Sequence, residues 1–287
     1  MGAIDRFFSS GSSLPKMPEF ARRLIQSFEG GDKIDLGQIV ELAEHDQPLA
    51  ASIIRQANSA HYGVRRGVDN LHQAAVLVGR ETLRNLLLSA AMIGAFPPAP
   101  AFERVRFWRH CVATGGYTRW LGRRLGFDSD SAYLAGFLLR TGQILMALEL
   151  PHMVAAVEAE CVRPGLRTSI ERQKVGCCHP HITGELARRW ALPEPMVDAF
   201  RHAPDPLHAK PFSLLAAVLS LAATAADAGD LRISVPEALI QADPELLSHL
   251  RLDADWIAAN LPSYESMTYT VDALCPPRSK DRRSGAS

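Results

Sequence analysis

Apolar residues return every three to four positions along most of this chain, the spacing that puts them on one face of a helix. Leu36, Ile39, Val40 and Ala43 form one such face after Asp35, whose carboxylate is placed to cap the first turn with Gln38 three residues on. Leu49, Ile53, Ile54 and Ala57 form a second after Pro48, a residue suited to a first helical turn. Leu83, Leu86, Leu87, Ala90 and Ile93 make a third. The stretches Val105–Leu125, Ser131–Leu148, Met153–Cys161, His181–Trp190, Met196–Phe200 and Leu214–Ala226 repeat the habit. Alternating runs of Val, Ile, Thr and aromatics, which would mark strands, are nearly absent. The predicted fold class is all-α. Gly and Pro between many short segments argue against a long coiled coil, and no 20–50-residue repeat is visible.

The pattern breaks at Phe96-Pro97-Pro98-Ala99-Pro100, where three prolines in four residues prevent a helix from continuing. Two packed helical subdomains are therefore expected, residues 14–96 and residues 101–272 with a C-terminal helical extension. Beyond Pro276-Pro277, the polar residues 278–287 are expected to be disordered.

At 287 residues, one or two lobes is the natural division, and 47% hydrophobic against 22% charged residues suffices for a core. Lys plus Arg equal Asp plus Glu at 31 each, so whole-chain attraction to nucleic acid or an anionic membrane is not indicated. The balance is uneven along the chain. Residues 101–190 carry thirteen basic and eight acidic side chains, whereas residues 201–272 carry four and ten. This division suggests charge matching within the chain or with a partner. Five cysteines read as free thiols, no secretory signal is visible, and the longest apolar stretch noted, Pro211–Ala226, is too short to span a bilayer. A cytoplasmic protein without direct membrane or nucleic-acid contact is the expectation.

Cys177-Cys178-His179-Pro180-His181 is the densest set of soft ligands, and His110-Cys111 is a candidate to meet it in space. Adjacent cysteines diverge on a regular backbone and no paired C-x-x-C exists, so neither metal nor cofactor is expected. No G-x-S-x-G elbow or P-loop appears. Gly115-Gly116 fits close helix packing. The arginine pairs Arg22-Arg23, Arg65-Arg66, Arg123-Arg124 and Arg188-Arg189 read as solvated helix faces without interleaved aromatics.

The most singular segment is Ile54–Gly63, in which an apolar helix runs into Asn58, Ser59, His61, Tyr62 and Gly63. These residues form either a helix-end hydrogen-bond network or a contact surface, and the network is favoured because Asn, Ser and Gly suit helix ends.

Ala57-Asn58-Ser59-Ala60-His61-Tyr62-Gly63 resembles the A-N-S-x-x-Y-G hallmark of the HDOD family, the HD-related output domains of bacterial signalling. Leu14-Pro15-Lys16-Met17-Pro18 resembles its L-P-x-L-P opening, and Ala74–Gly79 its A-I-x-x-L-G helix. Arg84-Asn85-Leu86, Phe107-Trp108-Arg109-His110 and Gly184-Glu185-Leu186 through Pro193 resemble three further blocks in order. The resemblance covers roughly Leu14 to Pro206.

It implies a second subdomain that is a degenerate HD-like helical bundle, related to metal-dependent phosphohydrolases. At the position of the family's H-D pair stand Leu139 and Arg140, between Gly136 and Gly142. Leu cannot ligate, and a permanent cation repels a metal. His110 and His179 are what the resemblance leaves of the histidine set. The later paired histidines fall on Ala203 and Pro204, with His202 alone nearby. The implied function is a non-catalytic signalling module acting through protein–protein contacts with signalling proteins. Ligand sensing in the remnant pocket and homodimer formation are further expectations, with Arg140 as an anion contact or as the partner of a neighbouring Glu. The alternative is a divergent metal-dependent phosphohydrolase acting on a nucleotide or cyclic dinucleotide. Leu214–Ala226 is left either as a wall of the pocket or as a dimer surface.

Overall fold

A computed structural model describes residues 3–9, 15–19, 21–23, 25, 36–45, 47–63, 67–99 and 103–275. Among them every regular element is helical and none is a strand, as the apolar period requires. The expectations on Leu14, Asp35, Arg65-Arg66 and residues 278–287 lie outside the described residues.

The chain divides into two units. The smaller contains α1 (Leu36–Glu44), α2 (Gln47–Ala57), α3 (Leu71–Val78) and α4 (Arg80–Ala95), with a C-terminal turn of helix at Val271–Leu274. The predicted stripes supply its core: Ile39, Val40 and Ala43 from α1, Leu49, Ile53 and Ala57 from α2, and Leu83, Leu86, Leu87 and Ile93 from α4 are all buried. The Asn70 side chain caps α3 by accepting from the Gln73 amide at 2.9 Å.

The larger unit begins with α5 (Arg104–Arg124), whose N-terminus is capped by the Glu103 carboxylate accepting from Val105 and Arg106. Helices α6 (Ser129–Leu138), α7 (Gly142–Glu149), α8 (Pro151–Glu160), α9 (Arg167–Val175), α10 (His179–Arg189) and α11 (Glu194–His202) follow. The long α12 (Leu214–Asp230) and the shorter α13 (Val235–Ala242), α14 (Pro244–His249), α15 (Ala254–Asn260) and α16 (Tyr264–Thr268) complete it. Trp108 and Phe137 stack at 5.7 Å in its centre, and fully burying aromatics of this size stabilises by about 2–3 kcal/mol each. Gly115 and Gly116 serve close packing: an added Cβ would press on Tyr133 and on Met267 respectively.

The continuous helix expected over Ser131–Leu148 is two helices. Leu139, Arg140 and Thr141 form a turn between α6 and α7, in which the Thr141 hydroxyl donates to the Leu138 carbonyl at 2.8 Å. Thr183 of α10 holds the turn from outside, accepting from the Gly142 amide (2.9 Å) and donating to the Leu139 carbonyl (2.8 Å). Apolar periodicity ran through the break because both helices are buried along almost every side.

The unit boundaries also differ from the expected 14–96 and 101–272. Among the described residues, those up to Met17 and from Phe96 to Thr268 fall in the larger unit, those from Pro18 to Ala95 and from Tyr269 to Cys275 in the smaller. Phe96 packs on Trp108 (5.8 Å) and Trp190 (5.9 Å), and the Trp190 indole donates to the Pro15 carbonyl at 3.0 Å. Tyr269 instead stacks on His61 at 3.7 Å. Among the described residues, the stretch long and apolar enough to cross a membrane is Asp130–Glu149, not Pro211–Ala226; 89% of its most apolar window is buried, the environment of a core segment.

Candidate functional site

A concavity of about 470 Å³ opens in the larger unit, lined by the α6–α7 turn, the 164–168 segment, the start of α10, the 203–208 segment and α12. It brings together His110, Leu139, Arg140 and His179, the four positions singled out from the sequence, with Ala203 and Pro204. His202 is not part of the lining. The volume lies within the range of small-molecule sites.

His110 sits in the wall at 3% exposure, on the buried face of α5. Its Nε2 lies 2.9 Å from Asp227 Oδ1 and its Nδ1 3.2 Å from the Thr114 hydroxyl. Burial first, and then the Arg140 charge, lower the His110 pKa and keep the ring neutral. Nε2–H then donates to Asp227, and the Thr114 hydroxyl beside Nδ1 donates to the His110 carbonyl at 2.8 Å. Burial works to raise the Asp227 carboxyl, but the His110 hydrogen bond and the charges of Arg140 and Arg167 outweigh it and hold the group ionised. Its second oxygen accepts from the Gly165 amide at 3.1 Å.

Arg140, 6% exposed, projects from the turn. Its Nε donates to Gln143 Oε1 at 2.7 Å, and its Nη atoms lie 3.6 Å from Glu158 and 4.0 Å from Asp230. Of the two roles expected for Arg140, these distances support pairing with a neighbouring carboxylate. Arg167 makes a bidentate pair with Glu158 at 2.7 and 3.0 Å. Against the effect of burial, that pair draws the Glu158 carboxyl below its ordinary value. Asp230 also accepts from the Tyr264 hydroxyl and lies 3.8 Å from Arg106.

On the other wall, Glu171 Oε2 accepts from both the backbone amide (2.8 Å) and Nδ1 (2.7 Å) of His179, while Oε1 accepts from Gln143 at 2.8 Å. Burial opposes ionisation of Glu171, yet His179 and Arg167 hold its carboxyl low. Nδ1 being taken, the Nε2 edge of His179 is what the ring presents to the cavity.

These contacts decide whether the metal that the family resemblance implies would fit. Among the described residues no three His, Cys, Asp or Glu side chains converge as ligands. His110 and Asp227 are spent on each other, and a guanidinium stands where an acidic ligand is needed. The residues do not fit a catalytic metal. Cys178 is near His181 (3.4 Å), burial pushes its thiol up to about 11, and the five cysteines are free.

The Asn58 segment lies in the smaller unit. The Asn58 amide spans the loop, donating to the Val68 carbonyl and accepting from the Val68 amide, both at 2.7 Å, with a further bond to the Ile54 carbonyl. Gly63 takes the left-handed φ of +57° that ends the short turn Ala60–Tyr62. Tyr62 and Tyr269 share a hydroxyl contact at 3.1 Å, and the Ser59 hydroxyl is buried without a partner. Arg22 and Arg23 pair with Glu19, and Arg188 and Arg189 with Glu185, on exposed helix faces.

Sequence reasoning passed over Asp227, Asp230, Glu158, Glu171, Gln143 and Arg167. One signal was available: Ser220, Thr224 and Asp227 recur at four and three residues along an otherwise apolar helix, and all three line the cavity. They also assign α12 to the pocket wall.

The sequence profile of the HDOD domain family matches residues 14–206. An uncharacterized protein of Treponema pallidum is 27% identical over 203 residues, 67% of this chain and 39% of its own length. The chain thus spans about two-fifths of that curated relative. An HDOD domain protein of unknown function from Geobacter sulfurreducens superposes with a TM-score of 0.76 at 22% identity, over 96% of this chain and 98% of that one. A proposed signal transduction protein of Marinobacter aquaeolei (TM-score 0.72, 22% identity, 95% and 62% covered) shares the fold. So does a proposed phosphohydrolase of Shewanella amazonensis (0.70, 24%, 95% and 97%).

Proposed function

This chain belongs to the HDOD domain family, and on that premise we propose that it is a non-catalytic signalling module that works in the cytoplasm through contacts with other proteins, with the cavity of its larger unit as a sensory pocket. The observation that carries the reading is the state of the former catalytic position. Arg140 occupies it and is held by Gln143, while His110 and Asp227 close on each other. Hydrolysis on this fold needs convergent ligands with an open position for water. What remains is a concavity whose buried charges pair mainly with one another and whose walls are partly apolar, suited to binding without turnover. The name of the Marinobacter relative agrees with signalling, whereas that of the Shewanella protein points to the alternative chemistry.

Metal analysis of the purified chain, followed by a phosphomonoester and phosphodiester hydrolysis screen, tests the proposal. We expect neither stoichiometric metal nor turnover. Stoichiometric metal with hydrolysis that disappears in His110→Ala and His179→Ala would overturn it in favour of a divergent phosphohydrolase. Capture of partners from native cytoplasm, and sedimentation for a homodimer, then identify what the module contacts.

A further inference from the structure

The unspent polar groups deep in the cavity are donors. Arg140 and Arg167 both line it, and they converge on one Glu158 oxygen, Arg167 Nη1 at 2.7 Å and Arg140 Nη2 at 3.6 Å. The second of these distances, and the 4.0 Å from Arg140 Nη1 to Asp230, exceed hydrogen-bond reach, so the Nη protons of Arg140 have no acceptor among the described residues. Arg167 is 7% exposed. Its Nη atoms serve Glu158, while its Nε is buried without a hydrogen-bond partner. A buried donor with no acceptor is costly, and such an atom in a native fold calls for a group to meet it.

A second observation is the helix that Arg167 begins. Helix α9 is nine residues long, and Leu166 at its N-cap offers no side-chain acceptor to the first amides. That end of the helix opens on the cavity, since Leu166, Arg167 and Thr168 all line it. The Thr168 hydroxyl is half-buried and has no partner among the described residues. Guanidinium, amide and hydroxyl donors are thus gathered around the start of α9.

Charge decides which acceptor suits them. Arg140 and Arg167 share the lining with four carboxylates, Asp205, Asp227, Asp243 and Glu245, so an anion would meet a negative excess. A cation would meet the free donors, and three of those carboxylates are already engaged: Asp227 with His110 and Gly165, Asp205 with His208, and Asp243 with the Leu246 amide. An uncharged acceptor satisfies the donors and leaves the charges as they are. Pro204, Leu207 and Leu221 supply apolar wall for the rest of such a molecule.

We infer that the cavity binds an uncharged carbonyl compound of the carboxamide class, its oxygen taken by Arg167 Nε and the first turn of α9 and its apolar body set against the proline and leucine walls. This rests on the sensory reading of the cavity and names its ligand class. Arg140 supplies a further donor beside the same oxygen.

Calorimetric titration of the full chain, dialysed against EDTA, with 2-phenylacetamide, phenylacetate and 2-phenylethylammonium tests this, because the three share a body and differ in the charge of the head. Phenylacetamide should bind one to one and at least about tenfold more tightly than either charged analogue. Thr168→Val, which removes only a hydroxyl, should weaken it about fivefold. Arg167→Lys keeps a cation for Glu158 but lacks Nε, and should weaken it more than about tenfold. In two-dimensional N–H spectra the Arg167 Nε–H resonance, identified by its absence from Arg167→Lys, should shift as phenylacetamide is added; an arginine with a merely structural role would not respond. Ala223→Phe, at a half-buried lining position, should abolish binding with the circular dichroism spectrum unchanged. Absence of phenylacetamide binding, tighter binding of either charged analogue, an unmoved Nε–H resonance, or indifference to Thr168→Val and Ala223→Phe would sink the inference. The same preparation is assayed for metal and hydrolysis. Turnover there would remove the non-catalytic reading, whereas no turnover and no phenylacetamide binding would remove only the ligand class.

Discussion

The Asn58 segment and the Arg140 cavity are both polar clusters set among buried helices, and they are built on opposite plans. Asn58 meets its main partners, Ile54 and Val68, within ten residues along the chain, and all of them are backbone groups. Arg140 and its surroundings draw on side chains from His110 to Asp230, carried by five helices and the α6–α7 turn. A cluster closed by its own neighbouring backbone ends a helix and pins a loop, leaving little for a ligand. One assembled from distant helices leaves space between the side chains it gathers, and here that space is a cavity. The segment most conspicuous in the sequence is thus a structural clamp, and the less conspicuous residues surround the space.

The largest expected effect lies in the dispersed cluster. Arg167→Met leaves Glu158 partly buried without its bidentate partner and should destabilise by about 3 kcal/mol in urea unfolding. The double variant Arg167→Met with Glu158→Leu should recover most of that loss; no recovery would mean that the pair is not the cause. Next, Gly142→Ala forces a Cβ against the His179 carbonyl and Thr183, so α7 and α10 must part, at a cost of about 1–3 kcal/mol. Amide exchange in α10 should accelerate with it.

A smaller change follows pH. His110 has a folded pKa below its unfolded value near 6.5, so its contribution is present above that pH and is lost as pH falls through the folded value. The lowered carboxyls of Asp227, Glu158 and Glu171 act in the same direction further down: their contribution is present above about pH 4 and lost below it. Urea midpoints should decline from pH 6.5 downward and then more steeply under pH 4. His110→Gln should flatten the first part alone, and an unchanged slope would remove His110 from the account.

In the local cluster Asn58→Ala should cost about 1 kcal/mol, because the freed Val68 groups can reach water. Exchange at Val68 should rise while the decline of the urea midpoint below pH 6.5 keeps its slope. A changed slope would break the contrast between the clusters. The smallest effect is a gain. Arg251, at a left-handed φ of +53° where its helix ends, should tolerate Gly with about 0.5–1 kcal/mol of added stability, read as a higher melting temperature.

Helix class, most helix positions and four of the cavity's positions were legible in the sequence, because amphipathic periodicity and short ordered motifs are properties of neighbouring residues. The break at Leu139–Thr141 was not legible, since a segment buried on all sides carries no periodic mark of a turn. The charge division did foreshadow the site. Arg140 and Arg167 come from the basic stretch, Asp227 and Asp230 from the acidic one, and they meet inside one unit.

The amino-acid order by itself determined an all-α chain, a clamp at Asn58 and a family hallmark, all of which depend on residues within one or two turns of each other. Only the tertiary structure decided that Arg140 stands among carboxylates, that His110 closes on Asp227, and that a cavity opens between them. Those outcomes depend on which carboxylate arrives next to which cation, and the His110 and Asp227 side chains, 117 residues apart, meet only when the helices pack.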